Sequence, residues 1–388
     1  MKILHVLPAY LPAVRYGGPV FAVHSLCREL VVRGHDVEVI TTNIDGPRDS
    51  DVPLSEPVWI DGVKVRYFAS PALRRLFYAP AMAQALRHDM ATFDVVHQHT
   101  TYLWPTWAAA RTARAHRVPY VLSPRGMLIK DMIRRRSTVA KSLWIAAIER
   151  RNVERAAAVH VTSALEAAEL DRFGWKLPPV IAVPNGVDEP HDGTQALPVA
   201  PDVIAAASGG PVVLYLGRIS WKKGLDRLIY AFGRDGTGVL VIAGTDDEGL
   251  APRLVALAQD LRIAERVRVL PRTIGGADKE YLFRAARVFV VPSLSENFGN
   301  TVLEAMRRRV PVVTTPEVGA AEIVRKAAAG IVTDGEPRPL SAAIAQLVRD
   351  PALARAMGIA GQRHAIAEYG WSKVAAEMER LYMSVARG

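Results

Sequence analysis

Two glutamates, Glu296 and Glu304, stand eight positions apart in the stretch SENFGNTVLEAM, Ser295 to Met306. A carboxylate accepts hydrogen bonds from two neighbouring hydroxyls at once, as on a sugar. Between them lie Asn297, Phe298, Gly299 and Asn300, and then an amphipathic run with Leu303 and Met306 on one face. The run RVFVVPS before them predicts a buried strand, and Gly299-Asn300 predicts a helix start, where backbone N–H groups favour phosphate oxygens. Eight residues of ideal helix span ~12 Å, roughly the reach from a ribose to a hexose across a diphosphate. One glutamate would then hold a ribose and the other a hexose. In the purely structural alternative, Glu304 is a solvated helix residue and Glu296 a helix cap.

Other strand-end loops carry matching chemistry. In LYLGRISWKKGLDRLI a strand ends at Leu216 and Arg218, Lys222 and Lys223 follow, with Gly224 before a helical run. Arg as a fork and Lys as a point charge suit a diphosphate. After the first strand, Gly17-Gly18 precedes Pro19 and a helix, which lets an anion approach the backbone, though Gly-Gly before a helix is also an ordinary loop. GxGxxG and GxxxxGK[ST] are both absent. In FDVVHQHTTYLWP, His97 and His99 alternate at a strand end, on the face opposite Gln98. A neutral His there could donate to a sugar hydroxyl, and His99 is nearer the loop. Arg125 and Gly126 in SPRGML end the next strand as a candidate anion contact. Asp49-Ser50-Asp51 is a DxD by string, but among Pro47 and Pro53 it reads as a surface loop rather than a manganese site.

These loops need strands and helices to hold them. The 388 residues exceed one ordinary core, so two domains are expected. Half the residues are hydrophobic and 23% charged, as in a soluble globular protein. Strand-like runs fall at 2–7, 36–42, 63–68, 95–98, 120–123, 159–162 and 180–183, then at 212–216, 239–243, 267–270, 288–291, 312–315 and 330–333. Helical patterns lie between many of them. This alternation predicts an α/β fold with two parallel sheets, each covered on both faces. Asp188–Gly210, rich in Pro, Gly and Ala, reads as a linker. Ligands of such sheets sit beyond the strands' carboxyl ends. Cys27 is the only cysteine, in an apolar helical setting, so no internal disulfide is expected. No apolar run reaches the ~18 residues of a membrane span, and the start MKILHVLPAY lacks the shape of a signal peptide. A cytoplasmic location, or the inner face of the membrane, is the expectation.

In this order the motifs resemble the retaining glycosyltransferases of family 4, of the bacterial polysaccharide or glycolipid type. The resemblance spans nearly the whole chain. It rests on Glu-x7-Glu at 296 and 304, the GRISWKKG loop with Arg218 and Lys223, VPNGVD at 183–188, YGGPV, VVHQH, and the final YGWSKVAAEMERLY. It implies the GT-B fold, two Rossmann-like doubly wound parallel-sheet domains facing across a cleft. The expected division is an acceptor-binding domain at 1–190, a linker at 191–210, a nucleotide-sugar domain at 211–365, and a helix at 366–388 crossing back to the first domain. The implied reaction moves a hexose from a UDP- or GDP-hexose to a glycan or lipid-linked acceptor with retention, and needs neither metal nor cofactor. Glu296, His99, Arg218 and Lys223 are its catalytic candidates. Gly17, Gly18, Arg218, Lys223, Asn297, Phe298, Gly299, Asn300 and Glu304 are its donor-binding candidates, and Arg125 and His97 its acceptor-side ones. The rivals are a sugar-nucleotide 2-epimerase and a non-catalytic nucleotide-sugar binder.

The formal charge is +10, and Arg125–Arg155 alone holds nine Lys/Arg against three acids. Mixed there with Met127, Leu128, Ile133, Trp144 and Ile145, this basic excess suits contact with an anionic membrane surface, or equally a solvated helix packed by its apolar face. No nucleic-acid recognition motif accompanies it, so nucleic acid is not an expected partner.

Overall fold

The computed structural model describes residues 1–131, 133, 144–188 and 198–386. By its internal contacts the chain divides into Met1–Gly186 together with the segment from Trp371, and Val187–Gly370.

The first unit is built on β1 (Lys2–Ala9), β2 (Asp36–Thr42), β3 (Ile44–Asp45), β4 (Arg48–Asp49), β5 (Pro57–Ile60), β6 (Val63–Phe68), β7 (Val95–His99), β8 (Tyr120–Ser123), β9 (Ala158–Val161) and β10 (Val180–Ala182). Its main sheet runs β10-β9-β8-β7-β1-β2-β6-β5. Every pairing in it is parallel except β5 with β6. The sequence reading passed over β5 and the small hairpin β3–β4. Asp61 and Gly62 both have positive φ, 48° and 80°, as a two-residue hairpin turn between β5 and β6 requires.

Strands β1, β7, β8 and β9 are wholly or almost wholly buried, and alternate residues enter two different cores. Leu4, Val6, Val96, Leu122 and Val159 join one. Ile3, Leu7, Val95, Val121 and Ala158 join the other, with Trp371, Val374, Ala375, Met378, Leu381 and Tyr382 of the helix Trp371–Ala386. Those six fall at helical spacing, so one face of that helix covers the sheet. Glu379 on the same helix pairs with Arg33 and, at 3.0 Å, with His35.

The second unit is built on β11 (Val212–Leu216), β12 (Val239–Ala243), β13 (Val267–Leu270), β14 (Ala286–Val291), β15 (Val312–Thr314) and β16 (Gly330–Val332). Its sheet is all parallel, in the order β13-β12-β11-β14-β15-β16. This is a doubly wound order, with the crossover direction reversing between β11 and β14. The alternation repeats: Val212, Leu214 and Leu216 face one core, Val213 and Tyr215 the other.

All thirteen expected strands are present, with ends within two residues of expectation. The expected linker differs. A helix at Pro201–Ala206 lies inside it, and its Val203 and Ala206 enter the second unit's core. Two apolar positions in an Ala-rich run gave too little periodicity to show it. Residues 191–197 lie outside the described residues. The final expected helix is two, Pro351–Tyr369 and Trp371–Ala386, parted at Gly370. No helix among the described residues is long and apolar enough to cross a membrane.

Candidate functional site

In the second unit, the loops after β11 and β14 meet where the winding reverses. The β11 loop leaves through Gly217 and Arg218 and makes a single 3-10 turn, Trp221–Lys223. It enters the helix Leu225–Asp235 through Gly224, whose φ is +60°. A Cβ on Gly224 would stand 2.3 Å from the Pro292 carbonyl oxygen, so the close approach of the two loops needs glycine there. Arg227 Nε donates to that same carbonyl at 2.7 Å, and Leu294 N–H donates to Lys222 O at 2.7 Å. Thr315 Oγ1 donates to Ser293 O at 2.7 Å. Glu296 is held by its backbone: its N–H donates to Glu317 O and its carbonyl accepts from Gly319 N–H, both at 3.0 Å.

So fixed, the Glu296 carboxylate meets the Lys223 ammonium in an ion pair. Burial draws Lys223 down from its usual range to about 7, and the Arg218 and Lys222 cations push the same way. The contacting carboxylate works against them. Glu304 pairs separately with Lys279, at 2.8 Å, from the helix Gly276–Ala285. Sequence reasoning missed Lys279 because nothing local links it to Glu304.

The helix start is at Asn300, capped by Gly299 in the left-handed region, φ 92° and ψ 62°. Glu296 therefore precedes the helix, in extended pairing with Val318, and the two glutamates are not separated by eight helical residues. The ~12 Å axial span expected from the sequence does not apply, because residues 297–299 are bent, non-helical backbone before the helix begins. Phe298 is buried in the core, its carbonyl accepting from Ala320 N–H at 2.8 Å, while Asn297 is half-buried on the loop. Arg218 is exposed.

In the first unit, Gly17 (φ 72°, ψ −146°) caps the helix Gly18–Val32, with Pro19 in its first turn. Both glycines lie on a different unit from Lys223 and Glu296. Cys27 is buried in that helix.

The face of the first sheet covered by the helix Trp371–Ala386 carries a cluster of buried polar side chains among its apolar ones. His5, His97, His99, Ser123 and His160 all point to it, from β1, β7, β8 and β9, and all are buried. His5 and His97 are register partners, as are His99 and Ser123. Arg125 Nη2 approaches His99 Nδ1 at 3.4 Å and Arg125 Nη1 donates to Asn185 Oδ1 at 2.7 Å. A guanidinium can only donate, so His99 Nδ1 accepts and the proton of neutral His99 sits on Nε2. It is then given to His5 Nδ1, 3.0 Å away. His99 thus turns its N–H into the core in this state, not toward a ligand. Burial first, and then mainly the Arg125 charge, holds His5 and His160 at about 3. Burial likewise lowers His97 and His99 well below their usual range, so all four are neutral at ordinary pH. His5, His97 and His99 lie close enough to ligate a metal. Both His97 nitrogens are already hydrogen-bonded, to Tyr382 and Ser123 at 2.7 Å each, and the Arg125 cation sits beside His99.

Arg125 was expected within a basic surface window. Instead burial pulls its guanidinium down from its ordinary range, and its Nε has no hydrogen-bond partner. The backbone at Arg125 and Gly126 is left-handed, and Gly126 N–H donates to Glu166 Oε1 at 2.7 Å. Met127, Leu128, Ile133, Trp144 and Ile145 pack into the unit's core. Arg134, Arg135, Arg136 and Lys141 lie outside the described residues. Asp49 is in β4 and pairs with Arg74 at 2.5 Å, so the DxD string sits in a strand end rather than a plain loop. Sequence reasoning missed His5, His160 and Tyr382; VHV at 159–161 repeats the alternation of VHQH and was the available signal.

Comparison with known proteins adds the following. Residues 17–186 match the family model described as a glycosyl transferase 4-like domain, and 200–364 that of the glycosyl transferases group 1. A D-inositol 3-phosphate glycosyltransferase of Kineococcus radiotolerans is 30% identical over 403 residues, covering 94% of this chain and 90% of its own. A phosphatidyl-myo-inositol mannosyltransferase of Mycobacterium leprae is 26% identical over 389 residues, covering 95% and 94%. Among solved structures, Anabaena HepE in complex with UDP-glucose superposes with a TM-score of 0.76 at 20% identity, covering 99% of this chain and 100% of its own. Sucrose-phosphate synthase of Thermosynechococcus elongatus gives 0.76 at 22%, covering 99% and 98%.

Proposed function

The chain belongs to the family 4 glycosyltransferases, with the GT-B fold, and from that premise we propose that it moves a hexose from a UDP- or GDP-hexose to a glycan or lipid-linked acceptor, with retention and without a metal at the leaving group. Its place is surface polysaccharide or glycolipid synthesis, on the cytoplasmic side of the membrane.

One observation carries this reading: the half-buried Lys223 ammonium against the Glu296 carboxylate, where the second sheet reverses its winding. As the C1–O bond breaks, positive charge grows on the sugar ring and negative charge on the departing diphosphate. Lys223, Arg218 and the helix start at Gly299–Asn300 stabilise that diphosphate. When the diphosphate takes Lys223, the Glu296 carboxylate is released to accept from the hexose hydroxyls. Glu304 takes the ribose hydroxyls in the same way, and Asn297 and Phe298 shape the loop between. The acceptor attacks from the face the diphosphate leaves, so no protein nucleophile is invoked.

On the acceptor side, His97 lies against His99, His99 meets Arg125, and Arg125 binds an anionic group of the acceptor. A cation with an unsatisfied N–H, set among neutral imidazoles, supports that assignment. The relative named above acts, by its name, on an inositol phosphate.

The test is direct. UDP or GDP should protect the protein against heating, and the nucleotide sugar that protects should be consumed only with lipid or glycan acceptor present, in EDTA, giving a product of unchanged anomeric configuration. Turnover of the sugar nucleotide into its C2 epimer without acceptor would replace transfer by epimerisation. Protection without turnover under any acceptor would leave a binding protein.

A further inference from the structure

We propose that Tyr382, on the helix Trp371–Ala386, is a positioning residue: its hydroxyl completes one directed chain of hydrogen bonds by donating to the bare Nδ1 of His97, and so holds the ring against which His99 rests. This rests on the acceptor-side reading of His99 and Arg125.

The chain has one possible direction. It ends at the Val183 carbonyl, 2.9 Å from His160 Nε2, and a carbonyl only accepts. His160 Nε2 therefore carries the proton, and neutral His160 Nδ1 is an acceptor. Ser123 Oγ is 2.7 Å from that nitrogen and must donate to it. The same Oγ is 2.7 Å from His97 Nε2, and with its proton spent it accepts there. His97 thus carries its proton on Nε2, leaving Nδ1 a bare lone pair. The Tyr382 hydroxyl, 2.7 Å away, supplies the donor.

Every member is buried, so solvent does not stand in for a missing partner. Tyr382 presents its hydroxyl from a helix stripe whose other buried residues include Val374, Ala375, Met378 and Leu381. Burying a hydroxyl there is unfavourable unless it is bonded, and His97 is its partner. His97 in turn lies with its ring centroid 4.1 Å from that of His99, and Tyr382 closes edge-on over His97 at 5.7 Å. Without the phenol proton, His97 Nδ1 is a buried acceptor with nothing to accept, and either a tautomer change or a ring rotation follows. Rotation moves the surface that His99 rests on, and His99 is the residue that meets Arg125. The phenyl ring of Tyr382→Phe would fill the same space, so the hydroxyl alone is tested.

The experiment combines kinetics with nitrogen-15 spectra of histidine-labelled protein. In the wild type, His97 and His160 should both show a protonated Nε2 and a hydrogen-bonded, unprotonated Nδ1 at pH 7. Tyr382→Phe should change the His97 pattern and lower kcat for transfer about tenfold or more, the loss expected for one buried hydrogen bond. Nucleotide affinity, set in the second unit, should stay within about twofold. Ser123→Ala cuts the chain on the other side of His97; should Tyr382→Phe not fold, a changed His97 pattern with the same kcat loss in Ser123→Ala supports the proposal. Folded Tyr382→Phe with kcat unchanged, or a wild-type His97 protonated on Nδ1, overturns it. Absence of nucleotide binding by the wild type would instead sink the family-based reading, and the spectra would still decide the chain.

Discussion

Lys223 offers the sharpest prediction. Burial and its cationic neighbours bring it down to about 7, far below an ordinary lysine. A diphosphate placed against it favours the charged form and raises it. Because the pKa rises on binding, the complex binds more protons than the free protein between the two values, and affinity falls as pH rises through 7. With a free-state value near 7, half the lysine is charged at pH 7 and only about 3% at pH 8.5, so the donor's dissociation constant should weaken about fifteenfold over that range. At pH 8, titration calorimetry in buffers of different ionisation enthalpy should count about 0.9 proton taken up per nucleotide sugar bound. A nucleotide sugar is the right ligand, since its diphosphate has no terminal ionisation in that range. Lys223→Gln should bind about 10–150-fold more weakly at pH 7, the loss of a charged hydrogen bond, and with no slope. Lys223→Arg, charged throughout, should also be flat. A wild-type affinity constant from pH 7 to 8.5 with no proton uptake, or a slope that survives Lys223→Gln, would refute the reasoning.

Glu296→Gln should lower kcat/KM about 10–150-fold by removing a charged acceptor for sugar hydroxyls; unchanged turnover would take Glu296 out of the site. Gly224→Ala should destabilise the second unit by about 1–3 kcal/mol, read as a lower denaturant midpoint, because its φ of +60° and the 2.3 Å approach to Pro292 O both exclude a Cβ. Arg125→Gln should raise KM for a phosphate-bearing acceptor at least about tenfold and leave donor affinity alone; an unaltered KM would remove Arg125 from acceptor recognition. Activity in EDTA should match that without it, and restoration by added manganese would contradict a metal-free leaving group.

The strands were legible because a sheet covered on both faces turns each strand into a short apolar run. VVLYL and VLVIA carry that signature, and it also places the loops that follow. Edge elements were not: PVWI reaches only one neighbour and keeps Trp59 exposed, so its composition is diluted toward that of a loop. Among the candidate site residues, those with strong local grammar could be named from the sequence, Glu296 and Glu304 after an apolar strand and Lys223 before a helix. Their partners were harder. The contact of Lys223 with Glu296 joins residues 73 apart, and that of His97 with Tyr382 joins residues 285 apart. Tyr382 looks like any aromatic in an apolar helical stripe until the histidine beneath it is known. The orientation of His99 was also out of reach, because its tautomer depends on Arg125 and His5.

The second unit is one uninterrupted stretch of chain, and its two ends are tied together where Val187 N–H meets Tyr369 O at 2.8 Å. The first unit is not: it waits for the helix Trp371–Ala386. During synthesis, the stretch from Val187 to Gly370 can therefore close before the earlier one does. Until that helix leaves the ribosome, one face of the nascent first sheet is covered only in part, by the helix Gly18–Val32, and the hydroxyl partner of His97 is missing. A nonsense codon near position 370 would thus strike the beginning of the protein rather than its end.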